Sequence, residues 1–216
     1  QALGYTPLYL RYNTGLHISE NGRLLAELLG RLIAAWPVPV QTVSLVGHSM
    51  GGMISGLMTA DHPELVERIV FMSSAGGRFK ENEFARLVLK GGNPFAVYET
   101  ERFQDFLSTY VFAEVPYVPK PIAGAIVAAR AANKDFEKTV FTQMRLGPEA
   151  FLLQERLPLI KQPAILLWCD GDKIIDPSAA AVFAEGLPIS VTVMLKGCGH
   201  MPMMGQPEAV VAALLG

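Results

Sequence analysis

Residues 42–52 read Thr42-Val43-Ser44-Leu45-Val46-Gly47-His48-Ser49-Met50-Gly51-Gly52. The apolar run before Gly47 predicts a β-strand, and the small residues from Gly51 onward predict a helix, so Ser49 lies at the apex of a sharp G-x-S-x-G turn. Glycines suit this turn because a Cβ at either flank would collide. The turn exposes the Ser49 hydroxyl and directs the Met50 backbone N–H, at the helix N-terminus, toward the charge that develops on an attacked carbonyl oxygen. The motif therefore predicts a nucleophile, Ser49, and one oxyanion donor, Met50.

Two later loops supply the partners that a serine nucleophile needs. The run Ala164–Trp168 reads as a buried strand, and a polar loop containing Asp172 follows it. A second strand, Val191–Leu195, leads into a loop that contains His200. Functional groups gather at the carboxyl ends of strands in an open α/β sheet, and serine, then acid, then histidine is the chain order of one known triad. We predict Ser49 as nucleophile, Asp172 as acid and His200 as base.

Other residues near these loops have competing interpretations. Asp170 and Asp176 are alternative acids, although Asp176 precedes Pro177 and suits a helix cap, and Asp170 suits a loop hydrogen bond. His48 adjoins the nucleophile, but we expect the turn to direct its side chain away, into structural packing. No histidine and carboxylate pair has the helical spacing of metal ligands, so we expect no metal site and no cofactor.

With these motifs the chain resembles the α/β-hydrolase superfamily, and most of all bacterial lipases and monoacylglycerol-lipase-like esterases. The resemblance implies an α/β fold with a mostly parallel sheet and a helical cap insertion, and it implies the same roles for Ser49, Met50, Asp172 and His200. The chain departs from the family at Cys169, where a glycine is common. The resemblance is carried by four segments, Gly47–Gly52, His62–Val66, Trp168–Asp172 and Gly197–Met203.

The remaining patterns predict the organisation of the chain. Residues 8–12 read as a short strand, Ser19 caps an amphipathic helix that ends before Pro37, and residues 69–73 form another strand. From about residue 78 to 155 helical segments rich in Phe, Tyr and Pro replace the strand rhythm. We therefore predict a core of residues 1–77 and 156–216 and a helical cap of residues 78–155, whose aromatic residues line an acyl pocket or form the cap's own core.

The part before Ser49 departs from the family. It has 48 residues and no His-Gly loop, which predicts an N-terminally shortened sheet, and residues 9–19 resemble a different group, the lipid-remodelling hydrolases. The chain therefore reads as truncated or hybrid. Either Met50 is the sole oxyanion donor or the Asn13-Thr14-Gly15 loop supplies the second one. Because a shortened sheet leaves an apolar edge, we expect a homo-oligomer, most simply a dimer.

Composition limits the function classes. The chain has 216 residues, is half apolar and carries a net charge of −2, which suits one soluble domain and provides no basic surface for nucleic acid. It has no apolar run of transmembrane length and no secretory leader pattern, so we expect no stable membrane insertion, and the cytoplasm is the favoured compartment. We expect Cys169 and Cys198 to be reduced, with a disulfide as the alternative because their strands could be neighbours.

These observations predict a serine hydrolase that cleaves small-molecule carboxylic esters through an acyl-enzyme. Short to medium acyl chains are expected, with monoacylglycerols among the candidates. Two alternatives stay open: a C–C hydrolase or acyltransferase on the same fold, and an impaired acyl-binding homologue with an incomplete oxyanion hole.

Overall fold

The structure is a computed structural model that describes residues 5–10, 12 and 15–215, apart from the side chains at positions 143, 144 and 146. Within these residues four parallel strands form one sheet in the order β1-β2-β3-β4. One register row runs through Val46, Val70, Ile165 and Val191, so the carboxyl ends of all four strands lie at the same edge. The strands are β1 (Ser44–His48), β2 (Arg68–Met72), β3 (Ala164–Cys169) and β4 (Ser190–Leu195).

Helices cover both faces of this sheet, which confirms the predicted α/β class. The helices are α1 (Ile18–Ala35), α2 (Met50–Asp61), α3 (Glu83–Leu89), α4 (Thr100–Phe106), α5 (Lys120–Ala132), α6 (Lys134–Leu146), α7 (Leu152–Arg156), α8 (Ala179–Gly186), α9 (Pro202–Gly205) and α10 (Pro207–Leu215). Shorter helical turns occupy Pro63–Leu65, Pro148–Phe151 and Leu157–Leu159, and a π-helical turn occupies Leu107–Val111. Of the helices described here, none combines the length and the apolarity that a membrane crossing requires.

Alternation along the strands divides the core into two layers. Phe71 and Trp168 face one side of the sheet, where both rings contact Phe183 of α8 at centroid distances of 5.2 and 5.5 Å. Met72 faces the other side and packs with Val210 of α10. Successive strand residues point to opposite faces, and strands covered on both faces are apolar throughout. The buried runs of β2 and β3 follow from this arrangement.

The predicted helix after residue 18 is present as α1, but its first turn is capped from a distance. The Glu149 carboxylate accepts the backbone N–H groups of Ile18 and Ser19 at 2.7 and 3.3 Å. A carboxylate stabilises a helix N-terminus because it satisfies free N–H groups and opposes the helix dipole. Ser19 is therefore inside the helix and is not its cap, contrary to our prediction, and its hydroxyl also donates to Glu149.

The segment between β2 and β3 is helical, as predicted, and contains α3 to α7. Its aromatic rings pack on one another. The ring centroid of Phe84 lies 5.3 Å from those of both Phe95 and Tyr110, and the centroids of Phe95 and Phe106 are 5.6 Å apart. Tyr117, by contrast, is exposed. These rings therefore form a small core within the helical segment, which is one of the two roles predicted for them.

The predicted strand at residues 8–12 is wrong for the residues that the structure describes. Residues 8–10 and 12 have irregular backbone, and Tyr9 is 94% exposed. A β-strand forms only where it pairs with a neighbouring strand. Among the described residues β1 pairs with β2, and residues 8–10 and 12 do not pair with its other edge. Val46 of β1 is 53% exposed. Arg11, Asn13 and Thr14 lie outside the described residues, and with them most of the proposed oxyanion loop.

Candidate active site

Ser49 occupies the tight turn between β1 and α2. Its backbone has φ 53° and ψ −123°, a sparsely populated conformation that a non-glycine residue keeps only where the surroundings hold it. Three backbone hydrogen bonds do so: Ser49 N–H donates to the Met72 carbonyl at 3.0 Å, and the Ser49 carbonyl accepts from Gly52 and Ala75 at 3.1 and 3.0 Å. The turn predicted from the sequence is therefore present and is fixed by its neighbours.

The glycine requirement of this turn lies at Gly47 and Gly52. A Cβ on Gly47 would stand 2.5 Å from the Cα of Gly52, and one on Gly52 would collide with Ser74. A Cβ on Gly51, by contrast, would meet open space. The predicted collision is confirmed at the first flank, but at the second it falls one residue later than the G-x-S-x-G pattern indicates.

Met50 is the first residue of α2, directly after Ser49. The first N–H groups of a helix have no carbonyl partner within that helix, and together they form the positive end of its dipole. The Met50 N–H can therefore serve a developing negative charge beside Ser49.

A carboxylate–imidazole pair lies at the ends of β3 and β4. Both Asp172 carboxylate oxygens lie within hydrogen-bond distance of His200 Nδ1, Oδ2 at 2.9 Å and Oδ1 at 3.1 Å. Oδ1 also accepts the backbone N–H groups of Ile174 and Ile175 at 2.9 and 3.0 Å. Asp172 and His200 are 3% and 6% exposed. A carboxylate on Nδ1 keeps the proton on that nitrogen and leaves Nε2 of the neutral ring as an acceptor.

The two competing aspartates have other partners. Asp170 accepts the backbone N–H of Gly197 at 2.9 Å and forms an ion pair with Lys196 at 3.5 Å. Asp176 accepts the backbone N–H of Ser178 at 3.0 Å, just before α8. Within the described part of the chain, His200 contacts Asp172 among these carboxylates.

The loop that carries His200 is hydrogen-bonded to the helical segment and packs closely against it. His200 N–H donates to the Val111 carbonyl at 2.8 Å, at the end of the π-helical turn. A Cβ on Gly199 would stand 3.0 Å from the Cα of Phe112, so only glycine permits this approach. The position of His200 therefore depends on a contact between the sheet edge and the inserted helices.

A disulfide joins Cys169 to Cys198, with their Cα atoms 5.2 Å apart. Our expectation that both cysteines are reduced is therefore wrong. The reason is the strand register: Cys169 pairs with Leu195 across β3 and β4, and the turn after β4 returns Cys198 to the end of β3. The two-cysteine composition could not reveal this proximity.

His48 precedes Ser49 and contacts the loop that carries His200. Its Nε2 lies 2.7 Å from the His200 carbonyl oxygen, and the two imidazole centroids are 4.8 Å apart. Burial, and then the charge of His200, lower the pKa of His48 from 6.5 to about 4. The neutral ring can therefore donate its Nε2–H to that carbonyl. The ring packs within the structure, as expected, and its partner is the loop that carries His200.

The structure brings Asp172, His200 and His48 into contact, beside the turn that carries Ser49. Among the hydrogen bonds of the described residues, none joins the Ser49 hydroxyl to His200. Such a bond often shortens only when substrate is in place.

A separate cavity of about 610 Å³ lies within the inserted helices, lined by residues of α4, the π-helical turn, the 115–119 segment and α5.

Comparison with known proteins identifies a family and several lipases that this chain resembles. Residues 6–213 match the model of the alpha/beta hydrolase family. The chain is 29% identical over 165 residues to Lipase 1 of Psychrobacter immobilis, covering 73% of this chain and 50% of that protein. It is 24% identical over 179 residues to the monoacylglycerol lipase ABHD6 of Homo sapiens, covering 79% and 53%.

Among solved structures, a membrane phospholipase A described as a bacterial virulence factor superposes with a TM-score of 0.78 at 31% identity, covering 96% of this chain and 64% of that one. A putative lipase from Acinetobacter baumannii AYE has a TM-score of 0.71 at 23% identity, covering 97% and 69%, and this second likeness shows the fold alone. The chain spans about half the length of the curated relatives it matches.

Proposed function

Since this chain belongs to the alpha/beta hydrolase family, we propose that it hydrolyses carboxylic esters through an acyl-enzyme on Ser49. The observation that carries the proposal is the buried contact between Asp172 and His200 Nδ1 at 2.9 Å, beside the constrained turn of Ser49. An imidazole held in this way has one nitrogen available to take a proton from a hydroxyl. The names of the relatives, lipases and monoacylglycerol lipases, support esters as the substrate class.

In the proposed mechanism His200 Nε2 takes the proton of Ser49 while Oγ attacks the ester carbonyl. Asp172 holds the ring by its Nδ1–H and stabilises the imidazolium that forms. His200 then gives the proton to the leaving alcohol oxygen, and the C–O bond breaks to leave an acyl-enzyme. Water attacks this ester in the same way, with His200 again as base, and releases the acid.

The Met50 N–H would stabilise the negative oxygen of each tetrahedral intermediate. One oxyanion donor typically contributes about 100- to 1,000-fold in rate. The Asn13-Thr14-Gly15 loop remains our candidate for a second donor, and Met50 acting alone remains the other case. In that second case we expect a slower enzyme that keeps the same chemistry.

Short to medium acyl chains are the proposed substrates, with monoacylglycerols among them. We propose that residues 78–155 form a cap over a core of residues 1–77 and 156–216. The contact between Val111 and His200 places the inserted helices against the base loop, and the apolar side chains of these helices suit an aliphatic acyl group. Esters whose acyl chains carry a charge would fit this surface poorly.

The test compares hydrolysis of p-nitrophenyl acetate, butyrate, octanoate and palmitate by the wild type and matched variants. Ser49→Ala and His200→Ala should abolish turnover of every ester. Asp172→Asn should lower kcat by about 10,000-fold, as expected when the base loses its orienting carboxylate. Asp176→Asn is the matched control, because its carboxylate faces the start of α8, and it should keep most of the activity.

Three outcomes would contradict the proposal. Turnover that survives Ser49→Ala would remove the nucleophile, and a larger loss in Asp176→Asn than in Asp172→Asn would move the acid. A wild type that binds acyl chains but turns over none of the four esters would favour the impaired acyl-binding alternative.

A further inference from the structure

The disulfide lies between the two halves of the acid–base pair. Cys169 ends β3 and precedes Asp172 by three positions, while Cys198 follows β4 and precedes His200 by two. Both cysteines are buried. A covalent bond therefore joins the loop that carries the acid to the loop that carries the base, within a few residues of each.

The other links between these two loops are non-covalent, and they include the surface ion pair between Asp170 and Lys196 at 3.5 Å. Gly171 N–H donates to the Cys198 carbonyl at 3.2 Å, and Gly197 N–H donates to the Asp170 carboxylate at 2.9 Å. The second of these lies at the exposed surface, where water competes for both partners. The disulfide is the link that water cannot replace, so it limits how far the two loops can separate.

The loops are closely fitted around this bond. A Cβ on Gly171 would stand 2.7 Å from the Cys198 carbonyl oxygen, so the backbones approach as nearly as glycine allows. The contact between Asp172 and His200 depends on this fit, because each side chain extends from one of the two loops. A displacement of about 1 Å in a catalytic geometry can cost about 100-fold in rate.

We propose that the Cys169–Cys198 disulfide is a positioning element for the Asp172–His200 pair, so that the chain turns over esters at full rate only while this bond is intact. The inference rests on the proposed function, since it assigns the pair its catalytic role. Cys169 and Cys198 act through the loops and do not touch substrate. Reduction lowers kcat and leaves KM nearly unchanged, because the substrate surface of the inserted helices is not part of the tether.

The redox step is a simple exchange. The thiolate of a dithiol reductant attacks one sulfur, the S–S bond breaks, and the second thiol of the reductant displaces the mixed disulfide. Two electrons pass to the protein, each cysteine sulfur ends with one proton, and the reductant becomes a cyclic disulfide. Burial of both sulfurs slows the attack, since a thiolate must reach them. A disulfide of this kind persists in an oxidising compartment.

The experiment uses the full chain and reduces it with dithiothreitol under native conditions. The sequence contains two cysteines, so a thiol assay reads zero for the oxidised protein and two for the reduced one. Hydrolysis of p-nitrophenyl butyrate is then measured on both, with far-ultraviolet circular dichroism to verify folding. We expect kcat to fall by about 10- to 100-fold with KM within about twofold, and to return when oxidised glutathione re-forms the bond.

The double variant Cys169→Ala/Cys198→Ala is the matched control. It should have the low kcat of the reduced protein, should not respond to dithiothreitol, and should keep more activity than Asp172→Asn, because it loosens the pair without removing the acid.

Several results would overturn the inference. A reduced chain with two free thiols and an unchanged kcat would show that the hydrogen bonds alone hold the pair. Loss of the dichroism signal in parallel with activity would assign the disulfide to global stability instead of positioning. An oxidised wild type that hydrolyses no ester would defeat the proposed function itself, which separates that failure from the failure of this inference.

Discussion

Replacing His48 by glutamine should make the chain less sensitive to acid. The His48 ring is largely buried, and its pKa is lowered from 6.5 to about 4 by burial first and by the charge of His200 second. In the unfolded chain the ring titrates near its ordinary pKa. Between these two values the unfolded chain binds the proton and the folded chain does not. The stability that neutral His48 provides is therefore fully present above about pH 6.5 and is lost as the pH falls toward 4.

The size of the effect follows from the two pKa values. Their full separation corresponds to roughly 3 kcal/mol of unfolding free energy, and about 2 kcal/mol of this is lost between about pH 7.5 and pH 5. Glutamine does not titrate, and its side-chain amide can donate to the His200 carbonyl in place of Nε2. The variant should therefore lose about 2 kcal/mol less than the wild type over the same interval.

The assay is urea unfolding at both pH values, followed by fluorescence of the buried Trp168. His48→Leu is the matched control, since it removes the titration and also the donor. Its unfolding free energy should change with pH as that of the glutamine variant does. At both pH values it should be less stable than the glutamine variant by about 1–3 kcal/mol, the cost of a buried carbonyl left without its partner. Equal pH responses in the wild type and His48→Gln would refute the reasoning.

Three further changes test other parts of the structure. Glu149→Gln removes the charged cap of α1 and should lower the unfolding free energy by about 1–2 kcal/mol in urea titrations; no change would mean that water serves the helix end equally well. Gly199→Ala places a Cβ 3.0 Å from the Cα of Phe112 and should lower kcat in ester hydrolysis by at least about tenfold, whereas Gly124→Ala, which meets open space, should not. We still predict a dimer through the outer edge of β1, so light scattering should give twice the mass of the 23.4 kDa chain, and Val46→Lys on that edge should give monomers; a wild-type monomer would contradict the dimer.

Local sequence patterns predict much of this fold because the deciding interactions are local. The apolar run before Gly47 and the glycines around Ser49 predict a strand that ends in a tight turn, and β1, α2 and the φ of Ser49 agree with this prediction. Asp172 and His200 each follow an apolar run, and neighbouring parallel strands bring their side chains together. Their catalytic roles stay predictions.

The features that the sequence did not predict depend on contacts between distant segments. His48 contacts the loop that carries His200, and Glu149 caps α1, across more than 100 positions of chain. The disulfide, which the sequence left as the alternative to two reduced cysteines, depends on the path of the turn after β4, which composition does not encode. The failed strand at residues 8–12 has the same origin, because a strand needs a partner that no local pattern supplies.

Covalent trapping tests whether Ser49 is a nucleophile activated by His200 and Asp172. The oxidised chain is incubated with a fluorophosphonate, and peptide mass spectrometry locates the adduct while intact mass follows its rate. We expect one adduct per chain, on Ser49, with no adduct on Ser49→Ala and labelling of His200→Ala slowed by at least about 100-fold. An adduct on another serine, or equal labelling rates in the wild type and His200→Ala, would contradict it.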